Sequence, residues 1–92
     1  MNIYHVEFEL SETLQHLQQL VAEIRDDRLR QDDTPELAVQ LGHILDHICF
    51  VWNSRNYSHE QLGGMSQTEF ERLTNTVPNF HACRVLGDVA CG

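Results

Sequence analysis

The stretch from Thr34 to Arg55, TPELAVQLGHILDHICFVWNSR, most constrains what this chain can fold into. Leu37, Leu41, Ile44, Leu45, Ile48, Val51 and Trp52 recur at mostly three- and four-residue steps, which predicts a wide buried arc along one helix. Thr34 stands at the expected N-cap and Pro35 in the first turn, where a missing N–H costs nothing. Cys49 flanks the arc and reads as a small buried apolar group. Gly42 costs about 1 kcal/mol relative to alanine inside such a helix, so a close helix crossing is expected there.

An apolar arc of this width needs a partner. Leu14, Leu17, Leu20, Val21 and Ile24 supply a second stripe, with Ser11 as the expected N-cap and the helix reaching about Leu29. The short polar link 30–33 favours an antiparallel hairpin, with the two leucine stripes expected to face each other. Upstream, Tyr4, Val6, Phe8 and Leu10 alternate with His5, Glu7 and Glu9, the period of a strand with one buried face. Ile3, Val6, Leu10, Leu14 and Leu17 also fit a helical spacing. Residues 1–10 therefore read as a short strand or extended arm, with an extension of the next helix as the alternative.

Downstream, Ser58 with Gln61 and Ser66 with Glu69 form capping-box patterns. They predict helices near His59–Leu62 and Gln67–Val77, the latter stopped by Pro78. Residues 79–92 read as irregular, with the Phe80 ring tucked back against the core. The expected fold is mainly α: one small domain over 1–92, a three- to four-helix bundle-like arrangement with the N-terminal strand or arm.

A chain of 92 residues buries only about 60–65% of its extended surface, leaving a small stability margin. The formal charge is −8 and no lysine occurs. Before Thr34, eight carboxylates face three arginines, a local −5. A field of that sign repels phosphate backbones and anionic membranes. The expected partner is a protein with a basic surface, or a second copy in a dimer. No 18-residue apolar run predicts a membrane span, and the first residues lack a signal-peptide core, so the cytoplasm is the expected compartment. The three cysteines include no CxxC pair; Cys83 and Cys91 are expected as free thiols, with pairing across a loop or metal binding as the alternatives.

His43 and His47, four residues apart, project together and can supply two metal ligands. Ile44 occupies the place of a zincin's catalytic glutamate, so that pattern is absent. Glu12 and His16 share the four-residue spacing, and facing the first pair they would make a two-plus-two site. Stripe-to-stripe packing of the leucines would keep the pairs apart, so neither a metal site nor a cofactor is expected. The segment 58–77 has a helix-turn-helix rhythm, with Gln67, Thr68 and Arg72 able to contact nucleic acid; Glu69, Glu71 and the overall charge oppose that reading. No phosphate loop or nucleophile elbow appears, and no enzymatic activity is expected. The expected function is a non-catalytic acidic interaction or accessory module, with Tyr4, Phe8, His47 and Phe50 as contact residues. A helix-turn-helix regulator and a metal-binding protein using His43 and His47 are the alternatives.

Overall fold

The computed structural model of the chain describes residues 1–86. It is mainly helical, with α1 Ile3–Arg25, α2 Thr34–Asn53, α3 His59–Gly63, α4 Gln67–Asn75 and α5 Phe80–Leu86. No strand occurs among the described residues, which corrects the strand or arm expected over 1–10. The helical spacing of Ile3, Val6, Leu10 and Leu14 prevails because α1 is capped at Asn2, whose side chain accepts from the His5 N–H. A strand there would have needed a partner edge. Ser11 consequently lies inside the helix, donating its hydroxyl to the Glu7 carbonyl.

α1 ends at Arg25 in a Schellman motif. Arg28 N–H donates to the Glu23 carbonyl and Asp27 N–H to that of Ile24, with Asp27 left-handed at φ 57°. The reversal returns Leu29 to the core, where it clusters with Leu20 and Ile44 against Leu37 and Ile48. Asp33, rather than Thr34, is the N-cap residue of α2, and Pro35 sits in the first turn as expected. At the far end of the hairpin, Asn2 N–H donates to the Arg55 carbonyl and the Asn2 amide to that of Tyr57. These bonds tie the start of α1 to the end of α2.

α2 is the central helix, with α1 on one side and α4 on another. Cys49, Val51 and Leu73 are buried with Ser54, whose hydroxyl meets the His5 imidazole at 2.7 Å. The Asn53 amide donates to the carbonyls of Leu73 and Thr76, closing the end of α4. α4 stops at Asn75, two residues before the expected Val77, because Thr76 is already extended ahead of Pro78. Both downstream caps form: Ser58 and Gln61 make the full capping box, and Ser66 accepts from Glu69 N–H.

Residues 80–86 are helical, which corrects the irregular segment expected from 79 onward as far as Leu86; residues 87–92 lie outside the described residues. The Asn79 side chain accepts from Ala82 N–H at the helix start, and the Phe80 ring packs edge-on to Trp52 at 5.2 Å. Cys83 is disulfide-bonded rather than free; Cys91 lies outside the described residues. A Cβ on Gly42 would meet nothing within 4 Å, so no close crossing explains that glycine. None of the described helices is long and apolar enough to cross a membrane.

Candidate metal centre

The leucine stripes do not face each other. On α1 the buried positions are Thr13 and Leu20 and on α2 they include Ile44 and Val51, and Leu20 packs with Ile44 to mark the line between the two helices. With 100° per residue, His16 and Glu12 fall to one side of the α1 line, and Leu10, Leu17 and Val21 to the other. His43 and His47 fall to one side of the α2 line, and Leu41 and Leu45 to the other. Antiparallel helices reverse the rotational sense, so like sides coincide.

The three imidazoles meet across the α1–α2 seam. His16 lies 4.6 Å from both His43 and His47 between ring centroids, and His43 lies 4.8 Å from His47. One ring nitrogen of each can be chosen so that all three lie within 4.8 Å of one another. The Nε2 atoms of His43 and His47 are 3.3 Å apart. This corrects the expectation that packing separates the two pairs. His16 was legible only as half of the Glu12/His16 spacing; its convergence with the other two depended on which side of the stripe became the contact line.

Burial and the neighbouring imidazoles of His16 and His43 push the His47 pKa down, while Glu12 and Asp46 pull it up. The net effect favours the neutral ring, the form that ligates a metal. Burial, then Glu12, raises the pKa of Glu9 on the same side of α1. The cluster opens on a groove of about 650 Å³ lined by Phe8, Glu9, Glu12, His43, Asp46, His47, Phe50, Phe70 and Thr74. Imidazoles beside carboxylates form a donor set suited to a divalent transition-metal ion.

The other sequence-derived residues are dispersed. Phe50 packs on Phe70 at 5.1 Å and on His5 at 5.8 Å, so α1 and α4 share in covering it. Phe8 is exposed at the groove, and Tyr4 is the most exposed large hydrophobic among the described residues. On α4, Arg72 is held by Glu69 at 2.6 Å and Gln67 donates to Glu71, so both side chains are engaged with carboxylates. Glu69, which also accepts from the Tyr57 hydroxyl, is lowered to about 2 by Arg72 and then Tyr57. Arg55 lies over Trp52 at 4.0 Å and donates to its carbonyl at the end of α2.

Comparison with protein-family models, with curated proteins and with solved structures returned no match.

Proposed function

We propose that this chain is a small metal-binding helical protein that holds one divalent transition-metal ion through His16, His43 and His47. The convergence of three imidazoles from two helices carries the reading. In a tetrahedral zinc site with Zn–N bonds near 2.0–2.1 Å, neighbouring ligand nitrogens stand about 3.3 Å apart. His43 and His47 have that separation, and a ring nitrogen of His16 lies within 4.8 Å of theirs. Glu12 and Asp46 line the adjoining groove and, with water, are the candidates for a fourth ligand. The two carboxylates offset the ion's charge, and the net charge of −8 favours a cation's approach. The role is capture of the ion, without turnover. The acidic interaction module expected from composition is a compatible second reading, favoured by the exposed leucine side of the hairpin.

Titration of tag-free protein with zinc, followed by calorimetry, tests the site, with cobalt as the spectroscopic substitute. One ion per chain and the visible bands of tetrahedral cobalt are expected. His47→Ala and His16→Ala should each weaken binding by at least about a hundredfold, with His59→Ala unchanged. Wild-type protein that takes up neither ion, or His47→Ala protein that binds as tightly as wild type, overturns the proposal.

A further inference from the structure

The opposite side of the hairpin has no covering element among the described residues. Leu10, Leu14, Leu17, Val21 and Ile24 of α1, with Leu41 and Leu45 of α2, remain between 38% and 53% exposed. Since the histidines of both helices share one side, these leucines share the other. Together the seven residues leave about 600 Å² open, at the upper end of what a monomer shows. A standard interface takes about 800 Å² from each partner, so this surface with its small and polar neighbours Ser11, Gln18 and Ala38 is of the size one subunit contributes. We propose that a second copy of this chain covers it, forming a two-fold dimer in which the two α1 helices run antiparallel along their leucine stripes.

The pattern of α1 selects that occupant. Ile3, Glu7, Leu10, Leu14, Leu17, Val21 and Ile24 follow alternating four- and three-residue steps within α1, the seam of a coiled coil. The seam is self-complementary about a point between Gln15 and His16. A two-fold axis there sets Leu14 against Leu17 and Leu10 against Val21 of the second copy, and repeats each pairing on the other side. It also sets Glu7 of one α1 beside Ile24 and Arg25 in the basic last turn of the other. A parallel pairing would stack Glu7 on Glu7 and Arg25 on Arg25. Charge thus favours the antiparallel arrangement in the same residues that supply the apolar contact. None of these side chains is engaged elsewhere by a described ion pair. The inference does not rest on metal binding, because the histidines lie on the other side of the hairpin.

Sedimentation equilibrium of the full chain, with chelator present, tests it. A dimer mass at micromolar concentration is expected. Leu14→Asp with Leu17→Asp should give a monomer that keeps its helical circular dichroism, these side chains being already half exposed. Glu7→Arg should weaken the dimer by about tenfold, and adding Arg25→Glu should restore it. A wild-type monomer at hundreds of micromolar overturns the proposal. So does a dimer unchanged by the two aspartates, or one weakened by Glu7→Arg and weakened further by adding Arg25→Glu.

Discussion

The two sides of the α1–α2 hairpin carry the residues that sequence reading ranks in the opposite order. The leucine side holds the stronger pattern, yet most of its side chains are exposed. The histidine side holds two polar pairs, yet it is where α1 and α2 bring side chains together, over a groove that Phe50 and Phe70 help to line. Two helices touch along one narrow line. Here Thr13, Leu20, Ile44 and Val51 occupy that line, with Leu29 folding back onto it. Both the leucine stripe and the histidines flank it, one on each side. A wide apolar arc on a helix therefore marks more surface than a single neighbour can cover.

The contrast can be broken at the shared line with the largest effect. Ile44→Ala removes a side chain buried with Leu20 and Leu29 and should cost about 2–4 kcal/mol in denaturant unfolding, weakening both sides together. Leu17→Ala removes comparable bulk from the exposed side. In chelator-treated protein dilute enough to be monomeric it should cost less than about 1 kcal/mol. Equal losses for the two substitutions would mean that the leucine side is already covered within one chain.

Gly42→Ala should raise the unfolding free energy by about 1 kcal/mol, because the added methyl meets open space. A loss of stability would place another element against α2 at that point. The smallest expected effect concerns the histidine side. Burial holds the His5 pKa below the usual 6.5, so on acidification the unfolded chain takes up a proton that the folded chain resists. The contribution of neutral His5 is complete above pH 6.5 and declines as pH falls from there toward the folded value. His5 faces the Ser54 hydroxyl and the Phe50 ring, with Glu9 one turn along α1. Its ring signals, followed by NMR against pH, should titrate below 6.5; a midpoint above it would mean that a carboxylate dominates the site.

Much of the local structure was legible. The helix over α2, Pro35 in its first turn and the caps at Ser58 and Ser66 all act through neighbours within four residues, and all appear as expected; the arc of α2 is not buried throughout, since Leu41 and Leu45 stay exposed. The first ten residues were misread because Tyr4, Val6, Phe8 and Leu10 satisfy two periods at once. The Asn2 cap and its bonds to Arg55 and Tyr57 favour the helix. The Arg55 and Tyr57 partners lie more than fifty residues away, beyond any local pattern. The candidate metal centre was legible as spacing within each helix, Glu12 with His16 and His43 with His47. Its assembly was not, because a difference of less than a quarter turn in the contact line decides which flank closes.

Sequence alone determined that the chain is helical, acidic and short of core, since periodicity, charge and length are properties of the chain itself. Tertiary structure decided that three histidines share one place and that a row of leucines does not share the interior. Rotation of each helix about its own axis is set by the sum of all contacts along it, and Leu20, Leu29 and Ile44 outweighed the longer stripe by burying almost completely.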